Sequence, residues 1–211
     1  MPLTILITGF GPFPGAPFNP TGALVKALAC HRSGIGVRRI AHVFETSYDT
    51  VDRELPVLIA REKPAALIMF GLAQRTRHVR IETLARNTLA RTIPDVAGRL
   101  PTTDAISPGG PASLPLPAPT QRFLAAARAT GAMTMLSRDA GSYLCNYLCW
   151  RASEVAAHSG GPQLAAFVHV PLVRPLLTPS PGTVPHTLGD LIRAGEAIVA
   201  AATMVARMRR T

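Results

Sequence analysis

Three unbroken apolar runs constrain this chain more than anything else in it: LTILIT at 3–8, AALIMFG at 65–71 and LAAFVHV at 164–170. None shows the polar–apolar alternation of a half-exposed strand, so each reads as a strand buried on both faces, which needs a layer of structure on either side. The stretches between them fit that need. PTGALVKALACHR (20–32) reads as a helix with Asn19 as N-cap and Pro20 at its first position. GVRRIAHVF (36–44) reads as a strand, and 47–63 as a helix in which Pro56 makes a kink or a late start. Further on come one alternating strand over 78–87, a long Pro/Gly-rich loop over 94–119, and a helix over 120–131. A strand at 132–136 and helices over 143–158 and 186–208 complete the series. Strands alternating with helices imply a mainly parallel sheet covered on both faces. With no internal repeat and no linker, the expected fold is a single three-layer α/β/α domain over 1–211, its sheet mixed, twisted and mainly parallel.

Composition narrows the setting. At 211 residues, 47% hydrophobic and 16% charged, the chain can bury one full core and is not a disordered segment. Its three cysteines make an odd number without framework spacing, which suits a reducing compartment. The opening MPLTILITGF lacks the basic start of a signal peptide. The apolar run AIVAAATMVA near the other end falls short of the ~20 residues a membrane span needs. A soluble cytoplasmic protein with no membrane partner is expected. The formal charge of +10 raises a nucleic-acid partner, but the arginines are scattered, and only RTRHVR (75–80) and RMRR (207–210) cluster. Nucleic-acid binding is not expected as the main function.

In sheets of this type ligands bind beyond the carboxyl ends of the strands, which directs attention to TGFGPF, FGLAQR, SRDAGSYLC and HVPLVRP. Cys145 falls at the start of its helix, where unpaired N–H groups and the helix dipole favour a thiolate and can hold an oxyanion. Cys149 lies one turn deeper, where burial raises the thiol pKa. The competing reading makes both of them small core residues. A zinc pair at these cysteines is not expected, because no CxxC and no His–Cys cluster accompanies them. His169 ends a buried strand before a proline, where it can exchange a proton with a thiol or serve as a hydrogen-bonded core histidine. Glu82, amid basic and apolar neighbours, can orient such a histidine or pair with Arg80 or Arg86. The three groups are expected on different crossovers at one edge of the sheet.

The loop TGFGPFPGAPFNP (8–20) begins like a dinucleotide-binding turn, but Pro14 stands where its third glycine belongs and prolines remove the N–H groups that would cradle phosphates. No cofactor and no metal are expected. Phe10, Phe13 and Phe18 with the amide of Asn19 suit a small apolar ring bearing one amide, or else anchor the loop on the core.

Taken together, ILITGFGPF with NPT, IETLARN, IPDVAG, GPASLPLP, AGSYLCN and FVHVPLV resemble the pyroglutamyl peptidase I (pyrrolidone-carboxylate peptidase) family of cysteine exopeptidases over almost the whole chain. The resemblance puts the catalytic cysteine on Cys145, the histidine on His169 and the glutamate on Glu82. It assigns Phe10, Phe13 and Asn19 to the pocket for the 5-oxoproline ring. Where the family often reads Gly-Gln-Ala-Gly-Gly-Arg, this chain has GLAQRT, so Leu72 replaces a polar pocket residue and Thr76 an arginine. Thr92 replaces a second arginine, with Arg91 one place earlier and Gln74 as another candidate to compensate. The implied activity removes an N-terminal pyroglutamyl residue from small peptides through a thioester, without a cofactor, in a homodimer or tetramer. Two further readings use the same residues: a cysteine amidohydrolase with altered acyl specificity, and a catalytically weak binding protein.

Overall fold

The computed structural model describes residues 2–31, 34–158, 160–173 and 186–210. In chain order the elements are β1 (Leu3–Phe10), α1 (Thr21–Cys30), β2 (Val37–Phe44), α2 (Tyr48–Glu62), β3 (Ala66–Leu72), β4 (Val79–Glu82) and β5 (Leu84–Arg86). They continue with β6 (Ser113–Pro115), α3 (Thr120–Ala129), β7 (Thr134–Ser137), α4 (Leu144–Ala157), β8 (Leu164–Val170) and α5 (Leu188–Met208). Arg174 and Pro175, in the stretch singled out after the last strand, lie outside the described residues.

The three apolar runs become adjacent strands, as burial on both faces demands: the sheet order is β2-β1-β3-β8-β4-β7. β1, β2, β3 and β8 are parallel, and β4 is antiparallel to β8 and parallel to β7. Strand periodicity sorts the side chains between two cores. Ile5, Ile7, Ile68, Phe70, Ala166 and Val168 meet residues of α1, α3 and α5 on one face. Leu6, Met69, Ala165 and Phe167 meet α2 and α4 on the other. Every one of these strand residues is 1% exposed or less, which is why no polar alternation shows in the runs.

Four local expectations need correction. The stretch 78–87 is not one strand. Thr83 gives both its N–H (2.8 Å) and its hydroxyl (2.9 Å) to the Ser137 carbonyl, and beyond it β5 leaves the main sheet to pair with β6. The stretch 94–119 is accordingly not loop throughout, because it supplies β6 and is pinned to the core. Asp95, 3% exposed, accepts from the N–H groups of Tyr48 (3.1 Å), Ala97 (3.0 Å) and Arg99 (2.9 Å). Helix α2 starts before Pro56 rather than at it; Pro56 is exposed, so the missing N–H falls on the solvent side. Nor is Asn19 the N-cap: Pro20 takes that position, and Asn19, one residue earlier, accepts from the Thr21 N–H through Oδ1 at 3.1 Å. Among the described residues no helix is long and apolar enough to cross a membrane.

Asn146, fully buried in the first turn of α4, holds the β5 segment as a strand would. Its Oδ1 accepts from Arg86 N–H at 2.9 Å, while Nδ2 donates to the carbonyls of Arg86 (2.8 Å) and Thr88 (3.1 Å). Asn146→Ala leaves a buried donor and acceptors unpaired and is expected to cost about 2–3 kcal/mol, read as a lower urea midpoint. Asn146→Asp, which offers those carbonyls no donor, is expected to lose at least as much.

Candidate active site

The sheet register builds the site. Gly71 of β3, His169 of β8 and Arg80 of β4 stand directly opposite one another across three strands. Two residues inward, on the same face, Phe167 stands opposite Glu82. Glu82 and His169 are therefore diagonal neighbours on one face, within reach of long side chains. His169 Nδ1 meets Glu82 Oε1 at 2.7 Å. Glu82 thus lies inside the sheet on an antiparallel strand, not on a crossover at its edge as the alternation of strands and helices implied.

Glu82 is 0% exposed, and Arg80 bonds the same Oε1 through Nε (3.1 Å) and Nη2 (2.8 Å). Burial pushes the Glu82 carboxyl up, but the His169 bond and charge, Ser137 and Arg80 together outweigh it and hold the group below its usual range. An ionised carboxylate only accepts, so His169 carries its proton on Nδ1 and presents Nε2 to whatever lies in front of it.

Cys145, in the first turn of α4, lines the same cavity as His169. Tyr143 at the N-cap makes no side-chain cap, and among the described residues no side chain accepts from the first-turn N–H groups. A Cβ added to Gly71 would stand 2.7 Å from Cys145 Sγ and 2.6 Å from Phe167 Cζ; only glycine leaves room for the sulfur there. The Leu72 N–H bonds that sulfur. The helix start does not yield a low thiol pKa as position alone implied. Burial, with the Glu82 charge, pushes Cys145 up to about 12 against the smaller opposing effects of Arg80 and Leu72 N–H. Cys149 is fully buried and its thiol is raised well above its ordinary value by the same cause.

Cys145 and His169 share a cavity of about 150 Å³ with Phe10, Phe13, Asn19, Thr46, Leu72, Ala140, Tyr143 and Leu144. Six of the seven residues nominated from sequence line it, and the seventh, Glu82, stands behind His169. Phe18 does not take part: it is 87% exposed. The Asn19 amide is largely committed to the loop, with Nδ2 donating to Gly11 O at 3.0 Å and Oδ1 accepting from Thr21 N and Oγ1. Gln74 holds the same loop, donating to Gly15 O. Arg91 and Thr92 are exposed and line none of this cavity. Sequence reasoning missed Gly71, Thr46 and Tyr143, whereas the pairing of Glu82 with Arg80 was one of its readings and is present. The motif AGSYLCN held a signal for Tyr143, which meets Phe13 at 6.4 Å between ring centroids.

The family model described as pyroglutamyl peptidase matches residues 3–207. The pyrrolidone-carboxylate peptidase 1 of Ralstonia nicotianae is 31% identical over 204 residues, 95% of this chain and 93% of that protein. That of Thermococcus kodakarensis is 31% identical over 169 residues, 80% and 81% of the two chains. Among solved structures, the pyrrolidone carboxyl peptidase from Thermococcus litoralis superposes with a TM-score of 0.89 at 26% identity, covering 98% of this chain and 96% of its own. The pyroglutamyl peptidase I from Bacillus amyloliquefaciens gives 0.85 at 26% identity, over 96% and 95%.

A thiol raised to about 12 ionises further with every step in pH below that value. Alkylation of Cys145 by iodoacetamide, followed by peptide mapping, is expected to speed up roughly tenfold per pH unit from about pH 7 to about pH 10. A plateau near neutrality would mean a resting thiolate instead. Exposed Cys30 serves as the internal reference, and buried Cys149 is expected to react only on unfolding.

Proposed function

Since the chain belongs to the pyroglutamyl peptidase family, we propose that Cys145 is the nucleophile with which it removes an N-terminal pyroglutamyl residue from peptides, with His169 as acid and base and Glu82 as orienting carboxylate. The chain is a cysteine-type pyroglutamyl peptidase. The observation that carries the residue roles is the buried 2.7 Å contact of His169 with Glu82 behind a cavity whose wall includes Cys145.

The chemistry starts from a neutral thiol. His169 Nε2 takes the Cys145 proton as the sulfur attacks the pyroglutamyl carbonyl, and Glu82 stabilises the imidazolium that forms. N–H groups at the start of α4 receive the developing oxyanion. His169 then returns the proton to the departing amine, leaving a thioester. Water, deprotonated by the same histidine, hydrolyses it and frees 5-oxoproline. The lactam ring has no ammonium group, so an apolar slot between Phe10, Phe13, Leu72 and Tyr143 suits it, with Asn19 at its polar side. Proline, lacking the lactam carbonyl, would leave the polar partners of that carbonyl unsatisfied.

Three further points belong to this reading. Residues 1–211 act as one peptidase domain, and the protein works in the cytoplasm, a setting that suits its three free cysteines. It assembles as a homodimer or tetramer. Leu100 in the long loop, Ile93 just before it and Met204 on α5 are 46–64% exposed apolar side chains that would gain from such an assembly. Light scattering across a dilution series is expected to give a mass of two or four chains; a single-chain mass at all concentrations would refute the assembly.

Release of aminocoumarin from its pyroglutamyl conjugate tests the roles. Cys145→Ser and His169→Ala are expected to lose at least ~10²-fold in kcat, and Glu82→Gln a comparable factor, with the prolyl conjugate a poor substrate throughout. Full activity in Cys145→Ser would overturn the assignment.

A further inference from the structure

A second cavity, of about 360 Å³, opens beside the first and shares Phe13, Leu72, Ala140 and His169 with it. The shared histidine decides what the larger space is for. Resting on the reading above, the acyl ring fills the cavity that holds Cys145, and His169 must deliver its proton to the leaving nitrogen. That nitrogen therefore sits against His169, and the peptide beyond it runs into the second cavity.

The walls of this cavity carry a marked charge. Arg75 is exposed and has no hydrogen bond or ion pair among the described residues. Arg80 commits Nε and Nη2 to Glu82 and the Asp139 carbonyl, which leaves Nη1 facing no partner among the described residues. Asp139, the one acidic residue lining the cavity among those described, is already engaged by Arg86 Nη1 at 3.3 Å and by Gly141 N–H at 3.0 Å. Both of those contacts fall on Oδ1, so the space offers two guanidinium groups against one carboxylate that Arg86 already pairs.

We propose that this cavity is the subsite for the leaving peptide, and that Arg75 and Arg80 make it select peptides bearing a carboxylate just beyond the pyroglutamyl residue. The carboxylate has two possible sources: an acidic side chain, or the C-terminus of a very short peptide. Arg75 is exposed, so its pairing with substrate is worth a modest factor rather than an absolute requirement.

Two peptide pairs test the proposal by kcat/KM. pGlu-Glu-amide against pGlu-Gln-amide probes the side chain, and pGlu-Ala against pGlu-Ala-amide probes the C-terminus. The native chain is expected to favour the carboxylate member about 3- to 5-fold in at least one pair, and the pair that shows it names the source. In Arg75→Gln that ratio is expected to fall to about 1, and in Arg75→Glu to drop below it. Arg122→Glu is the control: it reverses an exposed charge on α3, which packs against the opposite face of the sheet, and should keep the native ratio. Equal ratios near 1 in both pairs would overturn the subsite, as would an equal fall in Arg122→Glu, which would assign the preference to the overall +10 charge. Failure to cleave the neutral aminocoumarin conjugate would overturn the parent reading and this one with it. Cleavage of that conjugate with no charge preference among the peptides would overturn this one alone.

Discussion

A carboxylate with no surface in water survives as a charge only when it is paired and hydrogen-bonded, and here Arg80 supplies the charge and an imidazole 2.7 Å away the hydrogen bond. The rest of the site is arranged around that contact between Glu82 and His169. It fixes the tautomer of the histidine, it places a negative charge under the thiol, and it draws Arg80 to the same oxygen. Its geometry comes from the sheet. Because β4 runs antiparallel to β8, Glu82 stands opposite Phe167 and reaches His169 along the diagonal. A slip of one residue in that pairing would turn Glu82 to the face covered by α3 and α5, so the register of two short stretches of backbone decides whether the pair exists.

The behaviour of Cys145 follows from a contest that burial wins. A helix N-terminus stabilises a nearby charge by about 0.3–1 kcal/mol at ordinary exposure, less than the 1.36 kcal/mol that one pKa unit represents. Desolvation between Phe167, Gly71 and the first turn of α4, with the Glu82 charge beneath, exceeds that and carries the thiol to about 12. The resting group is a thiol, so the nucleophile role proposed for it calls for a base at the moment of attack, the part proposed for the oriented histidine. A protonated Cys145 is also less open to adventitious oxidation.

How far the sequence could be read depended on how local each cause was. The apolar runs of β1, β3 and β8 and the amphipathic helices were legible because burial on two faces or one leaves its period in the residues themselves. Cys145, His169, Phe10 and Phe13 were legible because they follow strand ends, where open sheets of this class expose their chemistry. The break at Thr83 was only faintly legible: alternation holds over 78–82 and lapses at Leu84 and Ala85, but the distant Ser137 carbonyl is what divides the strand there. The pairing of β6, the anchoring of Asp95 beneath Tyr48 and the strand-like role of Asn146 were hidden for the same reason: each joins segments far apart in the chain. Phe18 failed in the other direction, as an aromatic that local pattern assigned to a pocket and the fold left in solvent.

By itself, then, the order of residues determined a layered sheet with three central strands, and it pointed to one rim and to a sulfur, an imidazole and a carboxylate as candidates there. These follow from burial period, turn chemistry and motif, all of which act over a few residues. Tertiary structure alone decided that β4 would reverse direction, that Glu82 would lie beneath His169 rather than beside it, and that the thiol would rest neutral. Direction, register and desolvation are properties of neighbours brought together by folding, and no single stretch of chain contains them.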